Sequence, residues 1–228
     1  MKKKIILIII SILFIYIFYY NIFMFIFSNN ILYYYEFRKH QVYTNIYLII
    51  KDYDEKKINS YINNLLDYLF HDKSLIKENF NEKEKKHVDD IKNILRITKK
   101  INIISIFFLS LLIIIYLIIY KDKIYFLNKI ISLLLLFNMF FIVLSFISII
   151  FFNIFFIIFH KLLFVDNSWI FYSLKDLIVN ILPKEIFLDY LFYFFLILII
   201  LEVFMFIFFR KIIRNLINNN KNSALFII

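Results

Sequence analysis

Four histidines, at 40, 71, 87 and 160, are the side chains of this sequence that exchange protons near neutral pH. His87 opens the string H-V-D-D-I-K (87–92). At helical spacing Asp90 shares its face. A carboxylate there can hold an imidazole tautomer and support a general base. His160 directly follows 30 uncharged residues, Ile130 to Phe159. A titratable group at such a boundary is a candidate functional residue. His87 lies 14 residues before another apolar run. If a helix over 82–97 lies flat on a membrane, both imidazoles face one lipid-level site. The plainer readings are a solvated helix face for His87 and an imidazole snorkelling to the interface for His160.

Other chemistries are poorly supplied. With no Cys there is no disulfide, thiolate site or thioester intermediate. With no Gly there is no phosphate-cradling loop, dinucleotide fingerprint or nucleophile elbow around Ser168. Four histidines without an HExxH pair or any Cys argue against zinc. No cofactor or metal is expected. Glu202 sits in the last apolar run, eight residues before Arg210, and reads as the partner of a basic tail residue. Asn21, Asn138 and Asn153 are expected to bond between helices.

The elements that must position these groups are membrane helices. The 228 residues are 63% hydrophobic and 21% aromatic, with a mean hydropathy of +0.79. A crossing helix needs about 20 apolar residues. Ile5 to Phe27, Ile101 to Tyr120 and Ile130 to Phe159 are uncharged, and Tyr190 to Phe209 carries only Glu202. The first run follows Lys2, Lys3 and Lys4, lacks an A-x-A cleavage pattern and reads as an uncleaved anchor. The fold class is therefore mainly α, a polytopic membrane protein of four transmembrane helices with a small extracytoplasmic cap.

Basic residues set the orientation. Three Lys precede the first run, three Lys against one Asp fill 121–129, and Arg210, Lys211, Arg214 and Lys221 follow the last run. Both termini and the short turn are then cytoplasmic. The boundaries are 1–27 for the N-terminus and first span, 28–100 for the cap, and 101–159 for the second and third spans. Residues 160–189 form an extracytoplasmic interfacial loop, 190–209 the fourth span, and 210–228 a cytoplasmic tail whose Asn-Asn-Asn-Lys-Asn stretch (218–222) reads as disordered. The formal charge of +10 follows from this topology and calls for no nucleic acid. Within the cap, Val42 to Ile50 reads as a short strand. Ile58, Tyr61, Ile62, Leu65, Leu66 and Leu69 recur at helical spacing, as do Val88, Ile91, Ile94 and Leu95. Pro183 breaks the chain before the last span.

Three stretches carry a resemblance: Y-I-N-N-L-L-D-Y-L (61–69), H-V-D-D-I-K (87–92), and the block from Phe159 to Asp189 that includes F-H-K-L-L-F-V-D-N-S-W-I-F. In this order between four spans the chain resembles the DUF1461 integral membrane family, which includes bacterial lipoprotein intramolecular transacylases. The family's His-x-x-Asp-Val-Lys motif falls on His87, Asp90, Ile91 and Lys92, and its second histidine on His160. The resemblance implies an enzyme in the bacterial cytoplasmic membrane with its site on the extracytoplasmic face. Its substrate is a lipoprotein whose N-terminal Cys carries a diacylglyceryl group. The sn-2 acyl chain moves to the free α-amino group, giving a lyso-form lipoprotein without a cofactor. His87, His160 and Asp90 are the expected catalytic residues, and Trp169, Asp166 and Phe171 the expected substrate contacts. Lipoproteins and membrane lipids are the expected partners. A non-catalytic membrane scaffold, or an acyltransferase or hydrolase for another lipid, remain the competing readings.

Overall fold

The computed structural model describes residues 2–49, 53–71, 73–74, 80–164, 166–173 and 175–225, with side chains as far as 215. Every regular element among them is helical. In chain order these are α1 (Lys2–Phe27), α2 (Asn30–Lys39), α3 (Val42–Ile49), α4 (Glu55–Phe70), α5 (Glu82–Tyr120), α6 (Lys123–Ile150), α7 (Phe152–Leu163), a 3-10 turn (Asn167–Trp169), α8 (Leu177–Ile181) and α9 (Lys184–Leu225). Helices α1, α5, α6 and α9 are long and apolar enough to cross a membrane. Their low-charge stretches are 5–27, 101–120, 130–150 and 190–209.

The chain divides into two units. The first holds 1–22, 101–147 and 194–228. Its core joins Leu7, Ile10 and Ile15 of α1 to Tyr116 of α5 and to Phe126, Ile130 and Leu134 of α6. Phe107, Ile118, Phe140 and Phe208 face outward, an arrangement that needs lipid rather than water around it. Hydroxyls on these helices bond back one turn, as Ser11 Oγ does to the Leu7 carbonyl at 2.8 Å. Tyr19 donates to Asn138 Oδ1 at 2.8 Å, a tie between α1 and α6. Asn21 instead donates to the Ile17 carbonyl of its own helix at 2.7 Å, so its expected interhelical bond is not made. Lys121 takes the left-handed backbone (φ 50°) between α5 and α6, a position that glycine usually fills and this chain cannot supply.

The second unit holds 23–100 and 148–193. Asn29 caps α2 by accepting the Ile31 and Leu32 N–H groups, and Asp54 caps α4 through Lys57 N–H. The helical spacing read in 58–66 is the buried face of α4: Ile58, Tyr61, Ile62, Leu65 and Leu66.

Several expectations are corrected here. Residues 42–49 form α3 and not a strand; Ile50 lies outside the described residues. The β-branched residues promised a strand, but Val42 and Ile46 fall one helical turn apart and bury together. The segment 82–97 is not a separate helix, because no Gly or Pro interrupts α5 between Glu82 and Tyr120. The run 130–159 is not one span. It breaks at Phe151 (φ −104°, ψ 35°), and His160 belongs to a separate helix, α7. A straight helix from Lys123 to Leu163 would be about 60 Å long, twice the hydrocarbon thickness, and the break removes that mismatch. The backbone of the Asn-rich tail is helical to Leu225.

Candidate active site

The start of α5 is fixed by a capping box. Asn81 Oδ1 accepts the Glu84 N–H and Glu84 Oε2 accepts the Asn81 N–H, both at 2.9 Å. The other oxygen of Glu84 accepts the Ile178 N–H at 2.8 Å, on α8. Asn81 Nδ2 donates to Asp176 Oδ1 at 2.8 Å, and Asp176 Oδ2 accepts the Tyr172 N–H at 2.8 Å. The loop after α7 is thereby tied to the first turn of α5. One face of that helix, 83, 86, 87 and 90, then meets the loop. Lys83 donates to the Ile170 carbonyl, Lys86 to Asp166, and Asp90 Oδ2 accepts from Ser168 Oγ at 3.5 Å. Asp166 also accepts the Ser168 N–H at 2.9 Å, and Lys86 holds its carboxyl well below the usual carboxylate range.

His87 projects from the middle of this face and is only 6% exposed. Its ring lies 6.2 Å from that of His160, the two inclined by 21°. Phe164 (4.6 Å) and Phe171 (5.3 Å) flank His87, while Phe156 (4.2 Å) and Trp169 (5.0 Å) flank His160. Burial pushes the His87 imidazole down to about 4; His160 lowers it further and Asp166 opposes. Burial also lowers His160, against a hydrogen bond to the Phe156 carbonyl. That bond, Nδ1 to oxygen at 2.7 Å, requires the proton on Nδ1. The neutral His160 tautomer therefore leaves Nε2 with a free lone pair. Among the described residues His87 Nδ1 is buried and has no hydrogen-bond partner. Two neutral imidazoles, one oriented and one unsatisfied, can take a proton and give one within an apolar shell.

The sequence-derived residues converge, with one difference. His87, His160, Trp169, Phe171, Asp166 and Asp90 all lie on the α5, α7 and 166–171 surfaces just described. Asp90, however, makes no hydrogen bond to His87; its partner is Ser168. The i, i+3 spacing places two residues on one face, but the loop hydroxyl competes for the carboxylate. Glu84, Lys83 and Lys86 were not singled out from sequence. The N-x-x-E pattern at 81–84 was a readable signal for Glu84; nothing local announced the lysines' partners 80 and more residues away.

A second cluster was also missed. Glu36, His40 and Asp189 bring ligand-type atoms within 4.8 Å of one another. Tyr193 donates to Glu36 Oε1 at 2.6 Å, and burial raises the Glu36 carboxyl. Lys39 Nζ already stands 2.6 Å from Asp189 Oδ2, so the cationic place is taken by the chain itself. His71 lines an open polar cavity of about 340 Å³ with Asn30, Asn63 and Asp67. Glu202 forms no ion pair among the described residues. Its Oε1 is buried and unpartnered, and it shares a narrow cleft with Asn138, where a pair with the basic tail was expected.

The profile of a family described as lipoprotein intramolecular transacylase Lit matches residues 6–187. Among solved structures the chain is similar to the membrane integral lipoprotein intramolecular transacylase Lit from Bacillus cereus. The identity is 25% and the TM-score 0.74, over 93% of this chain and 98% of that one. A histidine-to-arginine variant of that protein gives 24% and 0.73, over 97% and 95%. A histidine-to-alanine variant gives 23% and 0.74, over 94% of each chain. No curated protein sequence matches.

Proposed function

This chain belongs to the lipoprotein intramolecular transacylase family, Lit, and from that premise we propose that His87 and His160 together move an acyl chain within one lipoprotein molecule. The protein is an acyltransferase of the membrane. The single observation that carries the assignment is the 6.2 Å approach of the two rings inside their aromatic shell. A non-catalytic scaffold has no use for a buried imidazole whose Nδ1 lacks a partner, since buried polar atoms are ordinarily bonded.

The α-amino nitrogen of the lipid-modified N-terminal Cys attacks the carbonyl carbon of the sn-2 ester. A C–N bond forms, the bond to the glyceryl oxygen breaks, the amine gives up a proton and the glyceryl oxygen takes one. Atoms balance without water, cofactor or second lipid. His160 is the better base, because its Nδ1–H is held by Phe156 and its Nε2 lone pair is free. His87, held neutral by burial, donates a hydrogen bond to the ester carbonyl oxygen as charge develops there, and the imidazolium formed on His160 then returns its proton to the departing glyceryl oxygen. This reverses the assignment that a His87–Asp90 bond would favour. Asp90 acts at one remove, through Ser168 and the turn that carries Trp169. Trp169 and Phe171 flank the acyl chains, and Asp166 holds the loop against α5. Placing amine and ester of one molecule side by side supplies much of the rate.

In this reading residues 28–100 and 160–189 stand outside the bacterial cytoplasmic membrane as a cap with an interfacial loop. Mass spectrometry of a lipoprotein N-terminus tests the function, after expression in a host that makes diacyl lipoproteins. A lyso-form peptide with an amide-linked acyl chain is expected; an unchanged diacyl peptide counts against the assignment.

A further inference from the structure

We propose that α3 is a membrane foot, whose last turn enters the outer leaflet and seats the loop over the histidine pair. The proposal rests on the reading that residues 28–100 are extracytoplasmic. Val42–Ile49 carries no charge at all. Val42 and Ile46 are buried, and α3 packs against α8. The other sides of its last turn are Tyr47, Leu48 and Ile49, all exposed, Leu48 to 75%. Three contiguous large apolar side chains in water are unfavourable.

The bilayer is the occupant that chain continuity favours. Helix α2 begins at Asn30, directly after α1 leaves the membrane at Phe27, and its ten residues span only about 15 Å before α3 begins. Phe25 of α1 and Ile31 and Tyr35 of α2 are likewise exposed, so the apolar surface runs on from the crossing helix. Tyrosines at 35 and 47 suit a headgroup boundary. The foot matters because of what it holds. Helix α3 packs on α8, α8 donates the Ile178 N–H to the Glu84 carboxylate, and Glu84 lies one turn before His87 on α5. Lipid contact at Leu48 is therefore linked to the placing of the loop that carries Trp169.

The chain has no Cys, so single-Cys variants can be spin-labelled cleanly. Leu48→Cys and Ser60→Cys, the latter exposed on α4, would be compared in vesicles of phosphatidylethanolamine and phosphatidylglycerol. The label at 48 should be relaxed by oxygen and shielded from a water-soluble nickel complex, and the label at 60 the reverse. A label at 48 as open to nickel as that at 60 overturns the foot. Reaction of Ser60→Cys with an impermeant thiol reagent reports the side separately, so a reversed topology is recognised as such. For the seating, the double variant Leu48→Glu, Ile49→Glu should lower kcat/KM several-fold in vesicles and leave it unchanged in detergent. No fall in vesicles, or an equal fall in both, overturns it.

Discussion

Glu84 and Ile178 are joined by a hydrogen bond of 2.8 Å from the Ile178 N–H to a carboxylate only 1% exposed. The two residues lie 94 positions apart, and the bond ties the first turn of α5 to the first turn of α8. The same carboxylate closes the capping box with Asn81. One side chain thus fixes both the helix that carries His87 and the segment that follows Trp169 and Phe171.

Glu84→Gln keeps the volume and removes one of the two acceptor oxygens. One of the Asn81 and Ile178 N–H groups then faces an amide NH₂. A buried donor left without an acceptor costs about 1–3 kcal/mol. The unfolding midpoint in detergent should fall accordingly, and turnover should fall with it as the loop loosens. An unshifted midpoint would mean that the α5–α8 tie is redundant.

His87 makes stability pH-dependent. Its folded value is depressed from 6.5 to about 4, so between those values the unfolded chain binds more protons than the folded one. Stability is then full above about pH 6.5 and is lost as pH falls toward 4. The loss reaches at most about 3 kcal/mol at 1.36 kcal/mol per unit. Thermal unfolding between pH 7 and 4 checks this, with His87→Gln as the comparison. The variant should show a shallower acid decline, and equal slopes would assign the decline to other groups.

The four helices long enough to cross a membrane, and the two histidines whose rings meet, were legible because long uncharged runs and isolated imidazoles among them stand out by composition alone. The break at Phe151 was not, since neither Gly nor Pro marks it and the cause is the length of the whole run. The helical state of 42–49 was hidden by residues that favour strands, and packing against α8 decided it. Asp90 was read correctly as to face and incorrectly as to partner. Spacing along one helix says nothing about a hydroxyl that arrives from 78 residues away.

The Asp90–Ser168 contact is long, at 3.5 Å, and its effect should be correspondingly modest. Asp90→Asn and Ser168→Ala are each expected to lower turnover several-fold in folded, inserted protein. The double variant should be no worse than either single one, because both remove the same tie. Additive losses would place Asp90 in a separate role, such as direct contact with the substrate amine. The pH profile of kcat/KM divides these outcomes further. Loss of a positioning contact leaves its shape unchanged, whereas loss of an amine contact shifts its acid limb.

The parallel rings of His87 and His160 make the strongest prediction. If His160 carries the amine proton to the glyceryl oxygen while His87 polarises the ester through its N–H, neither works without its partner. Removing a general acid or base costs about 10²–10⁴-fold in rate. His87→Ala and His160→Ala should each lose that much lyso-form production, and the double variant should be little worse, since residues acting as a unit are not additive. His71→Ala lies away from the pair, on the polar cavity of α4, and should leave the rate near normal. His40→Ala breaks a 2.5 Å contact with Asp189, and should show in stability before it shows in turnover. The two motif variants also separate the roles. With His160 as base, His160→Ala should regain activity as pH rises and the substrate amine deprotonates unaided, while His87→Ala should not. Recovery in the opposite variant would exchange the two assignments, and near-normal production from either would make that histidine structural.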